Sequence, residues 1–105
     1  MNNLTPSAKN VLNFAQDEAK YYKHQAIGTE HLLLGLLMEQ NGIAYKALDQ
    51  FAISATDVRE EIERFAGYGD LTGLDRDDYL PYSPKAKNIL DLASDFAQRN
   101  GGFPN

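Results

Sequence analysis

The sequence contains no cysteine and no tryptophan, and only two histidines occur among its 105 residues. Without cysteine, disulfide bonds and thiolate metal sites are both excluded. Long apolar runs are also missing, since the most apolar stretch, Leu32–Met38, is far shorter than the ~20 residues that a membrane-spanning helix needs. No apolar leader follows a basic N-terminus, so we predict a cytoplasmic protein without a membrane partner.

Basic residues are scarce relative to acidic ones. Ten Lys and Arg are set against fifteen Asp and Glu, which gives a formal net charge of −5. Because phosphate binding needs a basic face, this balance argues against a nucleic-acid partner and is compatible with basic partners. With 43% hydrophobic and 24% charged residues, the composition is that of a globular protein of at most one small domain.

The stretch around which the chain is organised is Leu32–Met38. Six of its seven residues are large and apolar, and the exception is Gly35. Neither a helical stripe nor a strand alternation fits this run, so we predict a short helix that is buried on nearly all sides. We expect Thr29 to be its N-cap, Gly42 to supply left-handed geometry at its C-terminal end, and Gly35 to let another backbone approach closely.

Four further helices are predicted from their caps and their apolar spacing. Thr5 and Pro6 open the first, Ser54 caps the fourth, and Ser83 opens the fifth. The predicted core faces are Ala8, Val11, Leu12, Ala15, Ala19 and Tyr22 on the first helix, Ala44, Ala47, Leu48 and Phe51 on the third, Val58, Ile62, Phe65 and Ala66 on the fourth, and Ala86, Ile89, Leu90, Ala93 and Ala97 on the fifth. Glu60 and Arg64 are spaced as an ion pair on the fourth helix.

Residues 70–82 lack a periodic apolar pattern and are predicted to be a linker. Four aspartates in this segment suggest a calcium loop, namely Asp70, Asp75, Asp77 and Asp78. They lack the alternating ligand spacing and the closing glutamate of an EF-hand, so we favour the linker.

The fifth helix repeats the first. When residues 5–19 are set against residues 83–97, a displacement of 78 positions, eight of the fifteen pairs are identical. Such repetition indicates two copies of one supersecondary unit. We therefore predict a first repeat over 1–69, the linker over 70–82, and the first helix of a shortened second repeat over 83–105, in which the equivalents of residues 29–66 are missing.

The motifs Thr-Pro-x-Ala-Lys, Ile-Gly-Thr-Glu-His-Leu-Leu-Leu-Gly-Leu-Leu and Tyr-Ser-Pro-Lys-Ala-Lys resemble the Clp N-terminal repeat domain, which precedes the ATPase rings of AAA+ unfoldases. The block from Gly28 to Leu37 is most similar to the ClpC and ClpE branch. This resemblance implies an all-α orthogonal helical bundle, here one complete four-helix repeat plus the first helix of a second. It also implies a domain that receives adaptor proteins and protein substrates and delivers them to the ring of the parent unfoldase.

The resemblance also implies a binding site. In some ClpC-type domains, the glutamate of the Thr-Glu-His motif and the threonine that opens the first helix hold phosphorylated arginine, and these residues match Glu30 and Thr5, with Ser83 as the second copy of Thr5. A carboxylate can pair with a guanidinium group, while N–H groups at a helix N-terminus receive phosphoryl oxygens. We expect Thr5 to lie near Glu30. The alternative is that Thr29 and Glu30 only form a capped helix start.

No G-x-x-x-x-G-K-[ST] motif is present, so we predict a binding domain rather than an enzyme, without cofactor or metal. An alternative of another class is a small hydrolase or metal binder around Glu30 and His31. His24 and His31 are seven residues apart with no third ligand at metal spacing, however, so they do not make a zinc site. The runner-up is a self-standing regulatory or dimerisation module, which would form a homodimer through the fifth helix.

Overall fold

A computed structural model describes residues 4–69 and 79–99, with side chains as far as residue 95. It contains five α-helices: α1 (Pro6–Tyr21), α2 (Thr29–Met38), α3 (Ile43–Asp49), α4 (Ala55–Phe65) and α5 (Pro84–Arg99). The extended pairing found in this part of the chain is an isolated parallel bridge between Ile27 and Tyr82. The predicted all-α class is confirmed. Among the described helices, none is long and apolar enough to cross a membrane.

Helix α2 lies at the centre of the described fold. Its Cα atoms come within 8 Å of those of each of the other four helices, whereas the backbones of those four helices do not approach one another as closely. Its predicted boundaries need correction. The N-cap is Gly28 rather than Thr29, and the helix ends at Met38 with Glu39 as its C-cap. Gly42 has a φ of −84° and is the N-cap of α3, so it does not supply left-handed geometry.

The burial of α2 is less complete than the apolar run predicts. Leu32, Leu34 and Leu37 are buried, whereas Leu33 and Leu36 are only half-buried. The reason is that α1 packs closely along α2, whereas α3, which is only seven residues long, and α4 make much less contact with it. The core side of α2 therefore faces α1, and Leu33 is left at the edge of a surface groove beside α4.

Gly35 has the role that the sequence predicts. A Cβ atom at this position would overlap the backbone carbonyl oxygen of Val11, so the two helices approach too closely for a side chain. This close approach makes α1 and α2 the best-packed helix pair of the described fold.

Helix α5 returns to the first repeat and joins its core. Ala15, Ala19, Ile27, Leu32, Leu80 and Ala86 form one buried cluster, and Leu90 packs against it. The predicted core face of α5 is wrong at Ile89, which is half exposed, and at Ala93, which is exposed, because only the side of Ala86 and Leu90 is turned towards α1 and α2. The side chain of Ala97 lies outside the described residues.

The predicted faces of α3 and α4 are also partly wrong. Ala47 is exposed, and Phe51 is exposed because α3 ends at Asp49, before it. Phe65 is exposed in the last turn of α4, beyond the reach of α2, and the adjacent Ala66 is exposed too. On the same helix, Arg64 pairs with Glu61 at 3.0 Å rather than with Glu60.

The predicted domain boundaries stay predictions. Residues 70–78, with the four aspartates of the rejected calcium loop, lie outside the described residues. At the end of the predicted linker, however, Leu80 is buried in the core and Tyr82 pairs with Ile27. The last residues before α5 are therefore part of the packed fold.

Candidate functional site

The predicted site residues lie on two helices whose relative direction is fixed by contacts at both ends. Near the start of α1, Asn10 donates to the Glu39 carboxylate at the end of α2, over 2.6 Å. After the end of α1, His24 lies against His31 in the first turn of α2, with 2.8 Å between Nδ1 and Nε2. The two helices are thus antiparallel.

This antiparallel arrangement separates Thr5 from Glu30. Thr5 caps the N-terminus of α1, where its hydroxyl oxygen accepts from the Ala8 N–H at 3.1 Å. Glu30 is at the other end of the pair, beside His31, and the 16 residues of α1 span roughly 24 Å. The expectation that Thr5 lies near Glu30 is therefore wrong, and no single side chain of a ligand can contact both.

Ser83, in contrast, lies close to the start of α2. The Ser83 N–H donates to the Ile27 carbonyl oxygen at 2.9 Å, and the Ile27 N–H donates to Pro81 at 2.8 Å. Ser83 also caps α5, where its hydroxyl oxygen accepts from the Ala86 N–H at 3.2 Å. Because this pairing is parallel, the N-termini of α2 and α5 begin side by side.

The side chain of Glu30 folds back over the N-terminus of its own helix. A Cβ atom on Gly28 would overlap the Glu30 carboxylate, so glycine at the N-cap makes room for this carboxylate. The side chain remains 44% exposed, and its Oε1 lies 3.4 Å from Nδ1 of His31. The site therefore presents an accessible carboxylate at the positive end of a helix dipole.

Behind Glu30, a chain of hydrogen bonds uses all four ring nitrogens of the two histidines. The Gly28 N–H donates to Nδ1 of His31 at 2.8 Å. Nε2 of His31 must then carry its proton and donate to Nδ1 of His24, which in turn donates from Nε2 to the Gly67 carbonyl oxygen at 2.8 Å. Both rings are neutral in this arrangement, which joins the start of α2 to the end of α4.

The pKa of His31 is lowered, chiefly because burial disfavours the charged ring, while Glu30 opposes and His24 reinforces this shift. His31 is buried within the fold, so the histidine of the Thr-Glu-His motif is a structural residue. No local pattern indicates this contact, because the two histidines are seven residues apart and the connection between α1 and α2 brings them together.

The contact between His24 and His31 also bears on whether these histidines and Glu30 form a metal site. His24, Glu30 and His31 converge, with one potential ligand atom from each within 4.8 Å of the others. The two facing histidine nitrogens are 2.8 Å apart, however, which is a hydrogen-bond length. If two imidazole nitrogens were bound at ~2.0–2.1 Å to one tetrahedral zinc ion, the distance between these two nitrogens would be longer than a hydrogen bond. The geometry favours the hydrogen-bonded pair.

Sequence reasoning missed two buried carboxylates that hold the helices around the site. Glu18 on α1 is buried and accepts from the guanidinium of Arg59 on α4, which raises the pKa of Arg59. Glu39 is buried at the end of α2, where it accepts from Asn10 and from the Asn41 N–H. An amphipathic pattern places such residues on polar faces and does not reveal their partners.

Comparison with known proteins agrees with this architecture. Residues 3–102 match the family described as the Clp repeat (R) N-terminal domain. The chain is 45% identical over 96 residues to the ATP-dependent Clp protease ATP-binding subunit ClpC of Staphylococcus aureus (strain USA300), which covers 91% of this chain and 11% of that protein. The subunit of the same description from Staphylococcus saprophyticus is 44% identical over 96 residues, with the same coverage.

The chain thus spans about a ninth of the length of these curated relatives. The family match covers all five described helices, including the central α2 and the repeated start at α5. The chain therefore belongs to the Clp repeat (R) N-terminal domain family.

Proposed function

We propose that this chain is a non-catalytic docking domain of a ClpC-type unfoldase, which receives adaptor proteins and protein substrates for the ATPase ring. Its relatives are described as ATP-binding subunits of a Clp protease, and the chain aligns with 11% of their length. No phosphate-binding G-x-x-x-x-G-K-[ST] motif occurs in its sequence. Binding rather than hydrolysis is the role that these features support.

The ligand we propose for the site is an arginine-phosphorylated segment. The observation that carries this proposal is the pairing of Ile27 with Ser83, which sets Glu30 at the start of α2 beside the start of α5. The Glu30 carboxylate would pair with the guanidinium group of the ligand. The two adjacent helix N-termini would attract its phosphoryl group through their dipoles and N–H groups.

Titration calorimetry with free phosphoarginine tests this site. Glu30→Gln removes the charge that pairs with the guanidinium, and we expect affinity to fall about tenfold, as for loss of a charge-assisted hydrogen bond. Ser83→Ala should also weaken binding. Thr5→Ala is the matched control, because it removes an equivalent helix cap at the far end of α1.

Equal affinities for the wild type, Glu30→Gln and Ser83→Ala would contradict the proposal and leave Glu30 as part of a capped helix start. A loss in Thr5→Ala equal to that in Ser83→Ala would attribute both effects to weakened helix caps. Circular dichroism of each variant separates loss of helix from loss of binding.

A second candidate function is a dimerisation module that acts on Clp partners. Ile89 is 50% exposed and Leu92 is 68% exposed on the outer side of α5, so an apolar surface is available for a second copy. This candidate concerns a different face from the one that carries Glu30 and Ser83, and its test is given with the whole molecule below.

A further inference from the structure

A surface groove lies between α2 and α4, next to Glu30. Its volume is about 460 Å³, within the range of ~300–1,000 Å³ that is typical of ligand pockets. Leu33 of α2 and the side chains of Val58, Ile62 and Phe65 of α4 provide its apolar surface. Phe65 is 79% exposed at the edge of this groove, so its ring is accessible to a partner.

The rim of this groove is acidic. Glu30, Asp57 and Glu61 line it, and none of the described lining residues is a lysine or an arginine. The basic group within 4 Å of Glu30 in the described part of the chain is His31, which is held neutral by the Gly28 N–H. Glu61 pairs with Arg64 at 3.0 Å, but both side chains are more than half exposed, so this pair is weak and replaceable.

An apolar floor favours an apolar side chain, and a rim of carboxylates favours positive charge on either side of it. We propose that the groove binds an extended peptide segment in which a bulky apolar residue is flanked by unmodified lysine or arginine. The apolar side chain would cover Phe65 and Ile62, and the flanking cations would meet the carboxylates of the rim. This inference rests on the proposed docking function; it shares Glu30 with the phosphoarginine site and adds the apolar contact on α4.

Fluorescence anisotropy with a labelled peptide that carries one leucine between arginines, without phosphorylation, tests the apolar contact on the full chain. Phe65→Ala should weaken binding about tenfold, as expected for an aromatic anchor at the centre of an interface. Phe51→Ala is the matched control, because Phe51 is exposed to nearly the same extent, 76% against 79%, and does not line the groove. Its affinity should equal that of the wild type.

The charge contact has its own pair of variants. Glu61→Lys reverses a charge on the rim, whereas Glu60→Lys makes the same change on the neighbouring residue, which does not line the groove. We expect Glu61→Lys to lose several-fold more affinity than Glu60→Lys, and wild-type affinity to fall with added salt. A peptide with glutamate in place of the arginines should bind at least tenfold more weakly.

Three outcomes would overturn the proposal. Equal affinities for Phe65→Ala and Phe51→Ala would remove the apolar contact, and equal binding of the acidic peptide would remove the charge selection. A wild-type dimer that Phe65→Ala converts to a monomer in sedimentation would assign the groove to a second copy of the chain. Titration with phosphoarginine distinguishes this proposal from the proposed function. Phe65→Ala should leave the affinity for phosphoarginine unchanged, whereas Glu30→Gln should lower it.

Discussion

At the scale of single residues, the hydrogen-bonded pair of His24 and His31 requires both rings to be neutral. Protonation of His31 at Nδ1 would direct a second N–H at the Gly28 N–H, 2.8 Å away. Protonation of His24 at Nδ1 would oppose the proton on His31 in the same manner. Charging His31 would therefore break this hydrogen-bonded link between the start of α2 and the end of α4, while the apolar contact of Leu34 with Ile62 would remain.

This requirement predicts how stability depends on pH. Burial lowers the pKa of His31 in the folded state, whereas the unfolded chain keeps the ordinary value of about 6.5. Below that pH the unfolded chain therefore binds more protons than the folded chain, which favours unfolding. The free energy of unfolding should be greatest above that pH and should fall between pH 7 and pH 5. His31→Gln should flatten this dependence, since a glutamine side chain can accept from Gly28 and donate to His24 without titrating.

Urea unfolding of the wild type and of His31→Gln at several pH values between 5 and 7 measures the effect. The glutamine variant corrects for other titrating groups, because these are common to both proteins. Parallel curves for the two proteins would contradict the assigned role of His31.

A second prediction at this scale concerns the interior of α2. Leu34 is completely buried, whereas Leu36 in the same helix is only half-buried. Leu34→Ala should cost ~2–5 kcal/mol of stability, as for other buried leucines, and Leu36→Ala should cost clearly less. Equal shifts of the denaturant midpoint for the two variants would mean that α2 is buried evenly, as the apolar run alone suggests.

At the scale of elements, an ion pair ties α1 to α4. The Arg59 guanidinium donates to the buried Glu18 carboxylate and lies 3.5 Å from the sulfur of Met38 on α2. Three helices therefore meet at this pair, although α1 and α4 do not pack directly against each other within the described fold. Ile62 is the one buried residue of α4, so this pair is a second point at which α4 is attached to the rest of the described fold.

Removing the arginine should therefore loosen α4. Arg59→Met leaves the Glu18 carboxylate buried without its cation, which should cost ~1–3 kcal/mol. The double variant Arg59→Met with Glu18→Gln should recover much of this loss, because the uncompensated charge is gone. A double-mutant cycle measured by urea unfolding gives the coupling, and strictly additive losses would show that the two side chains do not interact.

At the scale of the whole molecule, α5 divides its apolar residues between the core and the solvent. Ala86 and Leu90 pack against α1 and α2, while Ile89 and Leu92 are exposed. The predicted homodimer through the fifth helix would therefore use the outer face, which carries Ile89 and Leu92, because the inner face holds α5 to its own repeat.

Sedimentation at increasing concentration tests the outer face. We expect a wild-type dimer that Ile89→Glu converts to a monomer, with a change in stability of at most ~0.5 kcal/mol, as for an exposed position. Asn88→Glu is the control, since it places the same charge on an exposed neighbour. A monomeric wild type at all concentrations would contradict the homodimer, and a large loss of stability in Ile89→Glu would place Ile89 in the core.

Much of the fold was determined by the sequence alone, because helix caps and apolar spacing act locally. Thr5 with Pro6 and Ser54 start helices as their side-chain chemistry predicts. The lack of a polar face in Leu32–Met38 was sufficient to identify the central helix, and Gly35 to indicate its close approach to another backbone. The family was expected from the resemblance of its motifs, above all the block from Gly28 to Leu37, and the comparison confirmed it.

The tertiary structure alone decided which residues meet across the fold. The family resemblance assigns Thr5 and Glu30 to one site, but the antiparallel packing of α1 and α2 places them at opposite ends of this helix pair. The parallel bridge between Ile27 and Tyr82 places Ser83 near Glu30 instead. The contacts of His24 with His31 and of Glu18 with Arg59 join residues on different elements. Periodicity reports which side of a helix is apolar, whereas the partner of a buried polar group depends on how distant elements are oriented, which no local pattern encodes.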